Sequence, residues 1–261
     1  MKGEITTDIL LKEMITIDLI KAVVIVTGSS SGIGQAVAVK YLQEGYVVCG
    51  LDNNVSNNKN HIDEYLCDVS NEEEVKIVFA KIQQKYGGIK YLINCAGIFF
   101  ATRRTSVETM ILSEWDKVIK NNLNSYIIVT KYAIPLLKNA DGDRAIINIA
   151  SDQALFPRKK NSAYAASKAG IQNFSHACAV EFIEYKIRVN CVLPASVRSN
   201  FIKKIVNKDN TMESIFLKED DRMPLGIIEP CEVAEMVFFL GSEKAKKVTG
   251  QSILMDSGLY I

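Results

Sequence analysis

The chain has 261 residues, 48% hydrophobic and 23% charged, a balance that excludes a disordered protein and supports a core able to fold without disulfides or metal. A formal net charge of +1 provides no field to recruit polyanions, so neither nucleic acid nor an anionic membrane is an expected partner. Charged residues interrupt the first 20 positions (Lys2, Glu4, Asp8, Lys12, Glu13, Asp18), which argues against a signal peptide or membrane span and for the cytoplasm.

Residues 1–20 read as an N-terminal extension, with Met14 an alternative start, and residues 21–261 as one domain. From Lys21 onward, short apolar runs alternate with longer helical patterns, the signature of βαβ units. Strands are predicted at 22–27, 46–51, 65–67, 91–94, 145–149, 188–193 and 252–255. Several are rich in Val and Ile without polar alternation, as in parallel strands covered on both faces. Helices are predicted at 33–44, 71–86, 113–137, 163–185 and 230–240, with Ser70 capping the second. The fold class is therefore α/β, a doubly wound seven-stranded parallel sheet. The asparagine-rich stretch 53–60 reads as a solvated turn, and the polar, weakly periodic segment 197–224 as a mobile lid over substrate. The six cysteines, Cys49, Cys67, Cys95, Cys178, Cys191 and Cys231, have no paired spacing and read as buried small hydrophobes in a reducing compartment.

The first strand runs into Thr27-Gly28-Ser29-Ser30-Ser31-Gly32-Ile33-Gly34 and then a helix. Such a turn brings free backbone N–H groups and a helix N-terminus to one spot, a site for pyrophosphate. Gly28, Gly32 and Gly34 supply unusual backbone angles and close approach, Ser30 and Ser31 supply hydroxyl donors, and Ile33 opens the helix. The alternative is a tight turn with no ligand. Asp52 ends the second strand about 20 residues later, where a carboxylate accepts from both adenosine ribose hydroxyls and repels a 2′-phosphate. No Arg or Lys stands at Ser29 to Ser31 or just after Asp52, so NAD is expected rather than NADP. Asp68, with Val69 beside it, either reaches the adenine or caps the next helix.

Tyr164 and Lys168 lie one helical turn apart, on one face. A nearby ammonium would stabilise a phenolate and make tyrosine a usable base near neutral pH. The bland alternative is a solvated surface pair. Ser151 ends the fifth strand, and the carboxyl ends of strands are where open α/β sheets bind ligands.

From Thr27 to the C-terminus the chain strongly resembles the short-chain dehydrogenase/reductase family. The resemblance rests on the Thr27 to Gly34 turn, on Asn94-Cys95-Ala96-Gly97 (Cys95 replacing a second asparagine), on Asn122-Leu123, and on Ser151 with Tyr164 and Lys168. It extends to Arg188 through Pro194 and to Thr249 through Gly258, where Ala195 and Ser257 replace glycines. The resemblance implies a Rossmann-type fold and dinucleotide contacts from Asn94, Ala96, Gly97, Tyr164, Lys168, Pro194 and Val197. It implies proton transfer by Tyr164, a hydrogen bond from Ser151 to the substrate oxygen, and a lysine that lowers the tyrosine pKa and binds the nicotinamide ribose. Asn122, with Asn121 the alternative, would hold a water linking Lys168 to solvent. The implied reaction is NAD-dependent interconversion of a secondary alcohol and a carbonyl, and the implied assembly a homotetramer or homodimer.

Gln153 either binds a substrate hydroxyl or stabilises its loop. Arg103, Arg104, Arg158, Lys159 and Lys160 either border the pocket mouth, favouring an anionic substrate, or are solvated loop charges. Phe99 and Phe100 are candidate pocket residues, Trp115 a packing residue, and His61 and His176 have structural roles with no metal spacing. The competing functions are an NADP-type 3-oxoacyl or carbonyl reductase and a non-catalytic NAD(H)-sensing regulator.

Overall fold

The computed structural model describes residues 22–54, 61–99, 105–198 and 222–261. The expected extension (1–20), most of the 53–60 turn, Phe100, Arg103, Arg104 and residues 199–221 of the expected lid lie outside the described residues.

Seven strands form one sheet: β1 (Val23–Thr27), β2 (Val47–Asp52), β3 (Asp63–Leu66), β4 (Tyr91–Asn94), β5 (Arg144–Ile149), β6 (Ile187–Pro194) and β7 (Ser252–Met255). Their order is β3-β2-β1-β4-β5-β6-β7, and every pairing is parallel. The connections are helical: α1 (Gly32–Gln43), α2 (Glu72–Tyr86), α3 (Leu112–Ile119), α4 (Ser125–Lys138), α5 (Ser162–Phe182) and α6 (Pro230–Leu240). The strand order reverses between β1 and β4, the place where sheets of this kind open a crevice for ligands.

Alternation along each strand divides the core into two layers. Val23 and Ile25 of β1 face a cluster with α2, α4 and α5, through Val75, Phe79, Ile82, Val129, Ala133 and Phe182. Val24 and Val26 face the other layer, where α1 and α6 contribute Val37, Tyr41, Val233 and Val237. Both faces of the strand are thus dry, which accounts for its unbroken apolar run.

Three local expectations are corrected. The cap of α2 is Asn71, whose side chain accepts from the Glu73 N–H, because the Ser70 hydroxyl instead donates to Asp68. The single helix expected over 113–137 is interrupted by a π-helical turn, Lys120–Asn124, where three asparagines weaken regular α-helix. Cys231 is exposed and Cys95 only partly buried, while Cys49, Cys67, Cys178 and Cys191 are buried, and all six are free thiols.

Far from the ligand edge, Arg188 near the start of β6 makes a bidentate pair with Asp143, at 2.8 Å from Nε and 2.7 Å from Nη2. The guanidinium also donates to the carbonyls of Leu240 and Val248, fastening α6 and the approach to β7 onto the sheet. Because Arg188 is buried, removal of its partner strands an uncompensated charge. Asp143→Ala is expected to destabilise the fold by about 3–5 kcal/mol, measured as a lowered denaturant midpoint with an unchanged m-value.

Candidate active site

The glycine-rich turn forms because β1 ends where α1 must begin within four residues. Gly28 has φ +69° and donates its N–H to Leu51 O at 2.8 Å, and a Cβ there would meet Ala96 Cα at 3.0 Å. At Gly34 a Cβ would lie 2.1 Å from the Gly28 carbonyl oxygen, so α1 can sit on the turn only with no side chain at that position. Thr27 Oγ1 accepts from the N–H groups of Cys95 and Ala96 at 3.0 and 3.1 Å, joining the turn to the loop after β4.

A groove of about 420 Å³ runs across this edge. It is lined by twelve residues of the predicted cofactor set: Gly28, Ser31, Gly32, Ile33, Gly34, Asp52, Asp68, Val69, Ala96, Gly97, Tyr164 and Lys168. Ser30 joins through its backbone, donating to Asp52 Oδ2 at 3.0 Å, while Asp52 Oδ1 accepts from Asn54 N–H at 2.9 Å. Each carboxylate oxygen keeps one further acceptor direction, which suits a diol. A close-approach turn at a helix N-terminus, with an acceptor-only group at the far end, fits an adenine dinucleotide.

Three expected cofactor residues stand elsewhere. The Asn94 side chain is buried beneath the groove and donates to Asn148 Oδ1 at 2.9 Å, tying β4 to β5. Pro194 and Val197 are buried at the end of β6, Val197 bridging to Ile228, and neither lines the groove. Residues that do line it without having been expected to include Asn54, Ile98 and Ala150. They are ordinary loop and apolar residues with no chemical signature in the sequence.

At the groove's other end Ser151, Tyr164 and Lys168 converge. Ser151 follows β5 and caps a short 3₁₀ turn, Asp152–Ala154, its Oγ accepting from Gln153 N–H at 3.2 Å. Tyr164 and Lys168 project from the first turns of α5. The phenol is hydrogen-bonded to Ser151 and its ring meets Phe99 edge-on, centroids 4.9 Å apart. Lys168 is 5% exposed and donates to the Ile149 carbonyl at 3.0 Å.

The electrostatics differ from expectation. Burial pushes the Tyr164 phenol up to about 12; the Ser151 hydrogen bond and the Arg158 guanidinium pull it down, and the Asp152 carboxylate pushes it up. The Lys168 ammonium lies 5.6 Å from the Tyr164 ring centroid. Burial brings its own pKa down to about 8. Desolvation is the largest influence on both groups, as neighbouring side chains crowd water from around them at the groove wall.

Asn122 is fully buried in the π-helical turn. Its side chain brackets the Ile98 backbone, accepting from the N–H at 2.7 Å and donating to the carbonyl at 3.0 Å, and it donates to Ser167 Oγ at 3.2 Å. Both amide hydrogens are engaged, by Ile98 O and Ser167 Oγ, so the side chain pins the loop after Gly97. Gln153 Oε1 accepts from Asn161 Nδ2 at 2.5 Å, tying the turn after β5 to the start of α5. His176 contacts Ser252 at 2.9 Å, and no group of His, Cys, Asp or Glu among the described residues could hold a metal. Asp152 and Ile98 border the site with no distinguishing signal in the sequence, and Trp115, expected only to pack, also borders it. Trp115 shares a small cavity with Tyr164, Met110 and Asn161.

Gly34→Ala is expected to abolish dinucleotide binding while the core helices persist, since the added methyl displaces α1 from the turn. Loss of fluorescence quenching by NADH with unchanged far-ultraviolet dichroism checks this.

The family model described as enoyl-(acyl carrier protein) reductase matches residues 28–260. The chain is similar to the 3-oxoacyl-[acyl-carrier-protein] reductase of Thermotoga maritima, 34% identical over 251 residues covering 92% of this chain and 98% of the relative. It is also similar to a 3beta-hydroxysteroid dehydrogenase of Mediterraneibacter gnavus, 28% identical, covering 90% of this chain and 94% of the relative. Among solved structures, the ligand-free aldohexose dehydrogenase of Thermoplasma acidophilum superposes with a TM-score of 0.85 at 34% identity, covering 92% of this chain and 94% of that one. With its seven parallel strands, its glycine-rich turn and these relatives, the chain belongs to the short-chain dehydrogenase/reductase family, oxidoreductases of CH–OH and carbonyl groups that bind a nicotinamide cofactor.

Proposed function

We propose that the protein is an NAD-linked oxidoreductase that interconverts a secondary alcohol and a carbonyl, with Tyr164 moving the proton. The observation that carries this reading is the convergence of Ser151, Tyr164 and Lys168 at one end of a groove whose other end is closed by the Asp52 carboxylate. The dinucleotide, when bound, supplies or accepts the hydride. The glycine-rich turn would hold its pyrophosphate, and Asp52 its adenosine ribose.

Tyr164 is a protonated phenol across the neutral range, with a pKa of about 12, so it is loaded to donate to a developing alkoxide. Ser151 would orient the same oxygen. Lys168, with a pKa of about 8, would bind the nicotinamide ribose and return the proton to Tyr164. Asn122 holds the Ile98 loop against the groove. Exposed apolar side chains on α4 and α5, Ile127 and Val180, support assembly as a homotetramer or homodimer, and the absence among the described residues of any helix able to span a membrane is compatible with a cytoplasmic enzyme.

A second reading, an NADP-type 3-oxoacyl reductase, is favoured by the resemblance to the Thermotoga maritima protein; the Asp52 carboxylate opposes it. Titration with both cofactors separates them: Asp52→Ser is expected to narrow the preference for NADH over NADPH by about tenfold, the effect of roughly 1.4 kcal/mol. A dinucleotide sensor without turnover, the third reading, is opposed by the assembled serine, tyrosine and lysine.

Tyr164→Phe is expected to lower kcat by about 10²- to 10⁴-fold while NADH still binds, followed by nicotinamide absorbance with a panel of alcohols, polyols, hydroxy acids and acyl thioesters. Unchanged turnover would overturn the assignment. A raised phenol pKa keeps the proton on until strongly alkaline pH, so alcohol oxidation, which needs the phenolate, is expected to rise with pH through the alkaline range. Carbonyl reduction, which needs the phenol, is not expected to rise with it.

A further inference from the structure

Next to Ser151 lies a carboxylate that none of the roles above uses. Asp152 is 2% exposed. Its Oδ1 accepts the Ser151 hydroxyl at 2.8 Å. Its Oδ2 is held by Arg158 Nη2 at 3.1 Å and by the Tyr260 hydroxyl at 2.7 Å. Tyr260 is the penultimate residue, 108 positions from Asp152, and its ring stacks on Phe156 with centroids 3.9 Å apart and planes 18° apart. The turn that delivers it runs through Ser257 and Gly258, both left-handed (φ +52° and +80°).

A serine hydroxyl has one proton and two acceptor positions. A carboxylate only accepts, so the Ser151 proton points at Asp152 in this arrangement, and with one acceptor position taken by the Gln153 N–H a single oxygen lone pair is left for a substrate O–H. Without that restraint the hydroxyl is a free rotor. A buried carboxylate with three partners is a fixed object, and all three come from outside the catalytic helix: Ser151 after β5, a loop arginine, and Tyr260 after β7.

We propose that Asp152, clamped by Arg158 and by Tyr260, is a positioning residue that sets the direction of the Ser151 hydroxyl, making Tyr260 a working part of the active site. The proposal rests on the reading of Ser151 and Tyr164 as the groups that meet the substrate oxygen. It gives Ser151 a built-in bias toward accepting a hydrogen bond, as from an alcohol O–H. To donate to a carbonyl the proton must leave Asp152, and the two donors on Oδ2 draw charge away from the carboxylate and ease that release.

The test is a double-mutant cycle of Asp152→Asn and Tyr260→Phe, each with and without Ser151→Ala, read in two ways. The first is NMR of isotope-labelled tyrosine, following the oxygen-bearing ring carbon of Tyr164, identified by its loss in Tyr164→Phe. The second is kcat and KM in both directions. Asp152→Asn is expected to shift the Tyr164 resonance, to lower kcat for alcohol oxidation by about tenfold, and to leave the KM for NAD unchanged. Tyr260→Phe, which keeps the ring stack, is expected to change the ratio of oxidation to reduction without altering NAD binding. The Tyr260→Phe effects are expected to vanish in the Ser151→Ala background, and the Asp152→Asn shift to shrink to the part the carboxylate exerts on the phenol directly. Effects of the same size with and without Ser151 would overturn the proposal, as would an unmoved Tyr164 resonance in Tyr260→Phe, the milder variant that decides the matter if Asp152→Asn does not fold. Absence of turnover in the wild type would instead sink the oxidoreductase reading, while the resonance cycle still decides the role of Asp152.

Discussion

Parallel strands in register must end together, and the whole site depends on that constraint. Thr27 lies opposite Asn94, Asn94 opposite Asn148, and Ile149 opposite Val192. The segments that leave these strands therefore emerge along one edge: the glycine turn after β1, the Ala96-Gly97 loop after β4 and Ser151 after β5. Thr27 Oγ1, accepting from Cys95 and Ala96, and Asn94, donating to Asn148, hold that edge in line. No loop is asked to place a functional group by itself.

Burial governs the chemistry at that edge as much as geometry does. The same packing that fixes Tyr164 and Lys168 removes the water that would stabilise their charges, so the phenol is pushed up and the ammonium down. The result is a phenol ready to give a proton beside an amine that titrates just above neutral pH. Charge enters the site through Asp152 and Arg158, which act on the phenol in opposite directions.

The sequence carried two kinds of legible signal. Period and composition gave the seven strands and the doubly wound class, since an apolar run without alternation can be satisfied only by a sheet covered on both sides. Spacing gave the phosphate turn and the Tyr164–Lys168 face, because glycines in a strand-to-helix turn and residues one helical turn apart have local consequences whatever surrounds them. Errors arose where neighbours compete locally: Ser70 lost the cap to Asn71 because Asp68 takes its hydroxyl, and the asparagine-rich helix middle became a π-helical turn.

What the sequence by itself determined was the sheet, its ligand-binding edge, and the presence of a serine, a tyrosine and a lysine at positions where one helix and one strand end can present them. Only the tertiary structure decided how burial sets the protonation of these groups, that the Asn122 side chain grips the Ile98 backbone, and that Tyr260 closes on Asp152. The physical reason is range. Hydrophobic period, turn angles and helical spacing act between residues a few positions apart, whereas desolvation and the meeting of a chain terminus with a catalytic loop depend on distances that exist only once the chain has folded.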